Sequence, residues 1–168
     1  MTEFRRVLFR SEEPKVKVTN LDRSMDYGDY DRMMRDKFAA MHEAEQRWES
    51  VQTEDAELIL VACGISSRIC QSAVRQARAQ GMRLGLIRPI SCWPYPGKAF
   101  ADLPKGLKGF VTVEMSLSAQ MGQDLMLATK CSYPVYGYLT SKYVAKTTEL
   151  VTYCKSVLAG NEKELGVL

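Results

Sequence analysis

The sequence lacks the residues that most metal sites and nucleophilic centres require. Its 168 residues include one histidine, His42, and five cysteines without a CxxC pair. Zinc and iron–sulfur sites built from local ligands need such close spacing. A serine or cysteine nucleophile needs a base within hydrogen-bond reach, and His42 lies on a separate, preceding segment. We therefore predict no catalytic residue and no metal ligand in this chain.

Long apolar runs and blocks of basic residues are also absent. No apolar run approaches the ~20 residues that span a bilayer, and the segment 1–10 lacks the apolar core of an export signal. The net charge of +3 is spread along the chain, unlike the basic patch of a nucleic-acid-binding protein. We expect a cytoplasmic protein that binds neither membrane nor nucleic acid. Its five widely spaced cysteines should be free, buried thiols in a reducing compartment.

From residue 55 onward, apolar runs alternate with segments of helical period. The runs predict strands, and the segments between and after them predict helices that end at Gly81 or lie near 98–103, 120–129 and 148–158. The strands are expected at 58–63, 82–87, 109–113 and 134–136. This alternation indicates a three-layer α/β/α domain with a mainly parallel sheet of about four to five strands.

The segment before this domain has a helical pattern from about Asp29 to Val51. Its apolar residues recur on one stripe and predict a long amphipathic helix; they are Met34, Phe38, Met41 and Trp48. We favour packing of this stripe on the following domain over a Met-rich binding surface. The predicted organisation is a lead-in that ends a missing preceding domain, a docking helix with linker, the α/β domain and a tail. Their bounds are 1–28, 29–54, 55–160 and 161–168.

The turn after the first strand of the domain is a candidate anion site. Gly64 allows a tight turn, and helix N-termini offer free N–H groups to anions. Ser66 and Ser67 are also typical helix caps, and capping is the favoured interpretation because no complete phosphate-binding motif is present. The same helix N-terminus could lower the pKa of Cys63, although a nearby base for a catalytic thiol is missing.

Two further groups of residues follow buried strands. The loop R88-PISCWPYP-96 carries three prolines that fix its backbone, so its large rings are presented rigidly and suit an interface. A loop folded back over its own core is the alternative. Glu114 ends the third strand, where we expect it to accept hydrogen bonds across a domain boundary. The candidate interface or channel-wall residues are Arg88, Pro89, Trp93, Pro94, Tyr95, Glu114 and Gln120.

Three stretches in this order resemble one enzyme family. They are D55-AELILVACG-64, M82-RLGLIRPISCWPYP-96 and G109-FVTVEMSLSAQM-121. Together with the charged helix before them, they resemble the transketolase C-terminal-like domain in the α chain of 2-oxoacid:ferredoxin oxidoreductases, most closely the 2-oxoisovalerate type. The resemblance covers roughly residues 20–158. Ser116 and Ala119 replace an Asn and a Gly that are frequent in the family, and a usual glycine pair is absent around 137–140.

The resemblance implies a role in oxidative decarboxylation of a 2-oxoacid to its acyl-CoA in anaerobic metabolism. In that family, thiamine diphosphate, magnesium and iron–sulfur clusters are bound by other domains or subunits, coenzyme A is a co-substrate and ferredoxin accepts the electrons. This chain would then bind no cofactor. It would pack against a thiamine-binding β chain and a ferredoxin-like chain, and could form one wall of a substrate or coenzyme A channel.

Two alternatives remain open from the sequence. One is the equivalent domain of a transketolase or of a pyruvate dehydrogenase β chain. The other is a free-standing α/β module that binds a nucleotide or phosphate at the turn 64–67. The aromatic, proline-rich loop favours an interface over a nucleotide pocket.

Overall fold

The computed structural model describes residues 26–166 of the chain. The described residues fall into two units, residues 26–38 and residues 39–166. Helix α1 (Tyr27–Ala44) contains the boundary between them. Most of the predicted lead-in, residues 1–25, lies outside the described residues. Within the described range, no helix combines the length and apolar character needed to cross a membrane.

Five strands of the second unit form one sheet in the order β1-β3-β2-β4-β5. The central strand β2 is parallel to both of its neighbours, since Leu58 is in register with Leu84 on one side and with Gly109 on the other. Strand β5 is parallel to β4, and β1 is antiparallel to β3 at the edge. The strands are β1 (Trp48–Val51), β2 (Leu58–Val61), β3 (Leu84–Pro89), β4 (Gly109–Glu114) and β5 (Val135–Leu139). The predicted α/β class with a mainly parallel sheet is confirmed.

Helices cover both faces of this sheet. They are α2 (Gly64–Ala79), a 3-10 helix (Gly97–Phe100), α3 (Gln120–Ala128) and α4 (Thr147–Leu158). Leu58 and Leu60 of β2 pack in one core with α2 and α4, whereas Ile59 and Val61 pack in a second core with α3 and the 3-10 helix. Successive residues of a strand point to opposite faces, so a strand between two helical layers must be apolar throughout. This explains the continuous apolar run of β2.

Helix α1 is shorter than its pattern predicts. It ends at Ala44, and Trp48 belongs to strand β1 instead of the helical stripe. Strand β1 pairs with β3, which lies almost forty residues later, with Trp48 opposite Pro89. A local sequence period cannot reveal such a distant partner. No residue of α1 is buried, and packing of the predicted stripe on the domain stays a prediction.

Charged residues line the amino-terminal edge of the sheet. Glu57, Arg83 and Lys108 each precede a central strand by one residue, and Glu57 lies between the other two. Its carboxylate is 2.5 Å from Arg83 and 2.7 Å from Lys108. Beside them, Arg78 reaches the carboxylate of Asp55 at 2.7 Å and the carbonyl of Leu84 at 2.9 Å. The charges at this edge are therefore compensated within the domain.

Candidate functional site

The sequence-predicted site residues lie at the opposite, carboxyl-terminal edge of the sheet. Gly64 opens the helix that follows β2, Pro89 ends β3 and Glu114 ends β4. The carboxyl ends of parallel strands meet at one edge, which is where open α/β sheets commonly bind ligands or partners. The topology thus brings together residues from three distant parts of the sequence.

Glu114 is held by its own domain. Its carboxylate accepts hydrogen bonds from the backbone N–H groups of Met121 at 3.1 Å and Gly122 at 3.0 Å, and from the Thr112 hydroxyl at 2.6 Å. A carboxylate at a helix N-terminus satisfies free N–H groups and interacts favourably with the helix dipole. These three donors lie inside the domain, and a further hydrogen bond to Glu114 across a domain boundary stays a prediction. Glu114 caps α3.

The proline-rich loop after β3 has an inner part and an outer part. Pro94 is buried, and the ring of Tyr95 stacks on Phe100 of the domain's own core with centroids 6.0 Å apart. Trp93 is 59% exposed. Arg88, on the strand itself, pairs with Glu49 of β1 at 2.9 Å. The sequence left two alternatives for this loop, folding back over its own core or presenting its rings at an interface. The structure shows both: Pro94 and Tyr95 pack inward, and the Trp93 ring is exposed.

A cavity of about 260 Å³ opens at this edge. We call it the edge cavity. It brings together four of the predicted residues, Pro89, Tyr95, Glu114 and Gln120, and four others, Cys63, Cys92, Met121 and Asp124. A second cavity of about 280 Å³ shares Cys63, Glu114 and Met121 with it and extends towards Ile65 and Met115. Trp93 lines neither cavity.

The edge cavity favours the protonated forms of Cys63, Tyr95 and Asp124, whose pKa values are raised. Partial burial, then the neighbouring Cys92 and Glu114, raise the pKa of the Cys63 thiol. Burial and then Glu114 raise the pKa of the Asp124 carboxyl. Burial, followed by Asp124 and Glu114, raises the pKa of Tyr95 far above its ordinary value. The predicted lowering of the Cys63 pKa by the helix N-terminus is wrong, because desolvation and nearby negative charge dominate.

The turn at Gly64 does not use its serines as caps. Helix α2 has no side-chain cap, and the Ser67 hydroxyl donates to the carbonyl oxygen of Gly64 at 2.7 Å. The favoured interpretation of Ser66 and Ser67 as caps is therefore wrong. The Glu114 carboxylate lies in the cavity next to Ser66 and disfavours a bound anion there by charge. Anion binding at this turn stays a prediction that the local charge opposes.

Exposed apolar side chains also collect at the carboxyl edge of the sheet. From Ala39 to the end of the described range, nine large apolar side chains are exposed, and only Leu127 lies away from the carboxyl edge. The other eight follow the carboxyl ends of β2 to β5, or, for Trp48, lie opposite the end of β3. We call this set the apolar rim: Trp48, Ile65, Ile90, Trp93, Met115, Leu117, Tyr143 and Val144. Exposed apolar patches typically mark interaction sites, so the grouping of these side chains at one edge makes this edge a candidate for one.

Two buried polar atoms at the same edge have no hydrogen-bond partner in the described part of the chain. They are the Nε of Arg88 and the hydroxyl of Tyr95. Buried polar groups are normally hydrogen-bonded, so each such atom calls for a partner group or an ordered water. Both residues belong to the predicted interface set.

The cysteines divide into two classes. All five are free thiols in the structure, and only Cys70 and Cys154 are buried in the core. Cys63, Cys92 and Cys131 are exposed, which corrects the prediction that all are buried. The three exposed cysteines lie in turns after strands or helices, where the chain leaves the core, so an apolar residue type alone does not predict burial.

A larger depression of about 470 Å³ lies between β5 and α4, away from all predicted site residues. Its polar groups are paired internally. The Tyr153 hydroxyl donates to the Gly137 carbonyl at 3.1 Å, and the Ser156 hydroxyl donates to Glu162 at 2.6 Å. Nothing in its chemistry calls for a ligand.

Sequence analysis missed Asp124, Cys92 and Met121 as members of the edge cavity. A signal for Asp124 was available: it follows Gln120 by four residues, so both lie on one face of α3. Cys92 lies inside the loop that the sequence singled out for its prolines and aromatic rings. Its position opposite Cys63 depends on the pairing of β2 with β3.

Comparison with protein families gives a match over most of the α/β domain. The family described as pyruvate:ferredoxin oxidoreductase core domain II matches residues 56–150. The ketoisovalerate oxidoreductase subunit VorB of Methanothermobacter marburgensis is 47% identical over 98 residues. The alignment covers 58% of this chain and 28% of that protein. The chain thus matches only about a quarter of the length of this relative.

Solved structures share the fold. A 2-oxoglutarate:ferredoxin oxidoreductase from Magnetococcus marinus superposes with a TM-score of 0.67 at 16% identity, covering 78% of this chain and 23% of that chain. A split-gene transketolase, described as an inactive β4 tetramer, superposes with a TM-score of 0.57 at 19% identity, covering 67% of this chain and 41% of that chain. At these identities the likeness concerns the fold alone.

Proposed function

The chain belongs to the pyruvate:ferredoxin oxidoreductase core domain II family, and we propose that it is a non-catalytic domain of a 2-oxoacid:ferredoxin oxidoreductase. The family-level resemblance in the sequence is thereby confirmed. In the proposed enzyme, a 2-oxoacid is decarboxylated oxidatively to its acyl-CoA and the electrons pass to ferredoxin. The 47% identity to a ketoisovalerate oxidoreductase subunit supports a branched-chain 2-oxoacid, 2-oxoisovalerate, as the substrate.

The proposed role of this chain is packing against other domains or subunits through the carboxyl edge of its sheet. The apolar rim carries this proposal: eight of nine exposed large apolar side chains of the described second unit lie at one edge. The unpaired Arg88 Nε and Tyr95 hydroxyl at that edge add support. A partner could both cover the rim and supply hydrogen bonds to these atoms. The proposed partners are a thiamine-binding β chain and a ferredoxin-like chain.

The cofactors of the proposed enzyme do not fit the described residues. Residues 26–166 contain no cluster of three or more His, Cys, Asp or Glu residues that could hold a metal ion. The Glu114 carboxylate already accepts hydrogen bonds from two backbone N–H groups and one hydroxyl of the domain. We therefore assign thiamine diphosphate, magnesium and the iron–sulfur clusters to the rest of the enzyme, and no step of the reaction to this chain.

The competing role as a nucleotide- or phosphate-binding module has less support. The turn at Gly64 faces the Glu114 carboxylate across a small, largely apolar cavity. A bound phosphate would be repelled there and would find no basic side chain among the lining residues. A thermal-shift screen of the chain with nucleotides and coenzyme A tests this alternative directly.

Trp93→Ala is the sharpest test of the packing role. Trp93 is exposed in the isolated chain, so its removal should change the midpoint of urea unfolding very little. Assembly with co-expressed thiamine-binding and ferredoxin-like chains, measured by sedimentation, should weaken by about 2 kcal/mol or more if the ring is an interface anchor. The rate of 2-oxoisovalerate-dependent ferredoxin reduction by the assembled enzyme should fall in parallel at limiting concentration.

Leu127→Ala is the matched control, since Leu127 is 75% exposed but lies away from the apolar rim. It should leave both unfolding and assembly unchanged. If Trp93→Ala destabilises the isolated chain by several kcal/mol and leaves assembly intact, Trp93 belongs to the domain's own core. The packing role of the loop would then be wrong.

A further inference from the structure

Two cysteines that are 29 positions apart in the sequence meet in the edge cavity. Cys63 follows β2, and Cys92 lies in the loop after β3, the parallel neighbour of β2. Both residues are exposed and line the same cavity. The other exposed cysteine, Cys131, lies in the turn after α3 and does not line this cavity.

The loop that carries Cys92 is held in place on both sides of the thiol. The neighbouring Ser91 hydroxyl accepts a hydrogen bond from the Arg47 backbone N–H at 3.0 Å and donates one to the Pro94 carbonyl at 3.0 Å. Pro94 is buried. These contacts fix the backbone on both sides of Cys92 and hold this residue in the cavity that it shares with Cys63.

We propose that Cys63 and Cys92 form a redox-active dithiol that closes reversibly into a disulfide. The oxidant is a small-molecule disulfide. In the first step the Cys92 thiolate attacks one sulfur of the reagent, whose other half leaves as a thiolate. In the second step the Cys63 thiolate attacks the Cys92 sulfur of this mixed disulfide, and the second half leaves. One molecule of reagent disulfide is reduced to two thiols, which take up the two protons that the cysteines lose.

The surroundings of Cys63 make closure pH-dependent. Partial burial, Cys92 and Glu114 raise its pKa, so little thiolate is present near neutral pH. The other titratable groups that line the cavity are Tyr95 and Asp124, and neither carries a positive charge that would stabilise a thiolate. The second step should therefore accelerate about tenfold for each pH unit while the pH stays below the pKa of Cys63. The proposed dithiol is a slow switch at neutral pH and a faster one in alkaline solution.

Closure would join the proline-rich loop covalently to the end of β2. Cys92 precedes Trp93 in the sequence, so the disulfide would restrict the backbone motion of this exposed residue. This inference goes beyond the packing role and does not depend on it, because the two thiols meet within one domain.

The test uses the full 168-residue chain, oxidised glutathione and alkylation after denaturation, with peptide mapping by mass spectrometry. Wild type should contain a Cys63–Cys92 link, which dithiothreitol reverses, and keep the buried Cys70 and Cys154 alkylatable, while the exposed Cys131 forms only a mixed disulfide with glutathione. The rate of link formation should rise about tenfold from pH 7 to pH 8. Five remaining thiols at equilibrium, or a link between any other pair, would overturn the proposal.

Three variants serve as controls. Cys131→Ser removes an exposed thiol outside the cavity and should still form the link. Cys63→Ser should stop at a mixed disulfide on Cys92, and Cys92→Ser should form no intramolecular link. Mapping of the wild-type chain alone decides the outcome if a variant fails to fold. Links to the buried Cys70 or Cys154 would reveal an unfolded chain and contradict closure in the native fold.

Discussion

The two edges of this sheet differ in how their side chains are satisfied. At the amino edge, Glu57 lies between Arg83 and Lys108 and pairs with both. At the carboxyl edge, eight large apolar side chains are exposed, and two buried polar atoms lack partners in the described structure. The amino edge thus resembles an ordinary solvated surface, whereas the carboxyl edge resembles a surface that something else covers. The contrast supports the proposal that the carboxyl edge meets a partner domain or subunit.

Glu114 is the main exception to this contrast, and its removal should have the largest effect. The carboxylate accepts three hydrogen bonds and caps α3. We expect Glu114→Ala to lower the free energy of unfolding of the isolated chain by about 2 to 3 kcal/mol, because two backbone N–H groups and a hydroxyl lose a charged acceptor. Urea denaturation measures this loss.

Two variants sharpen the result for Glu114. Glu114→Gln keeps one acceptor oxygen and should lose less. Asp124→Asn removes the neighbouring carboxyl, whose raised pKa shows that its charge is unfavourable there, and should cost nothing. A Glu114→Ala chain within about 0.5 kcal/mol of wild type would show that this residue is not needed by the isolated fold.

Glu57 tests the amino edge. Glu57→Ala leaves Arg83 and Lys108 without their shared partner, but both cations are largely exposed, so we expect a loss of about 1 kcal/mol. The loss should shrink in high salt because screening weakens such pairs. Glu54→Ala, at an exposed residue for which the structure shows no ion pair, is the matched control. Equal effects for the two variants would contradict the network.

Glu57 also predicts a pH dependence. Lys108 and then Arg83 lower its pKa in the folded state below the ordinary value of 4.5. Its stabilising contribution is therefore complete above about pH 4.5 and is lost as the pH falls through the lowered pKa. Circular dichroism during acid denaturation should show this loss of stability in wild type and not in Glu57→Ala.

Tyr95→Phe should have the smallest effect on the isolated chain. The ring stays stacked on Phe100, and the lost hydroxyl has no partner in the described structure. We expect stability within about 0.5 kcal/mol of wild type, or slightly higher, since an unsatisfied buried group is removed. A loss above about 1 kcal/mol would reveal a bound water or an internal partner. Weaker assembly with unchanged stability would instead place a partner group at the Tyr95 hydroxyl.

The sequence predicted the α/β class because its strongest signals are local. The run 58–63 is apolar at every position, and this pattern arises only when both faces of a strand are covered. The helices after β2 and β4 were found through their 3.6-residue period. The prediction of a helix over Trp48–Val51 was wrong because it also relied on a local signal. The local pattern there continues a helix, but the segment forms a strand through its pairing with β3, which is distant in the sequence.

The sequence predicted the position of the candidate site better than the interactions that its residues make. Strand ends, prolines and a lone glutamate pointed to the carboxyl edge, and the edge cavity gathers Pro89, Tyr95, Glu114 and Gln120 there. The sequence could not show that Glu114 would be engaged by α3 or that Tyr95 would pack inward. Both depend on where a later helix returns to the sheet.

Local composition and periodicity by themselves determined the class of fold, the edge at which the candidate residues lie and the family resemblance. Only the tertiary structure decided which residues meet at that edge. Cys63 and Cys92 share a cavity because β2 and β3 are neighbours, and Glu57 pairs with two cations because β2 is central in the strand order. Strand order and register are set by the free energy of the whole packed core, which no short segment of sequence contains.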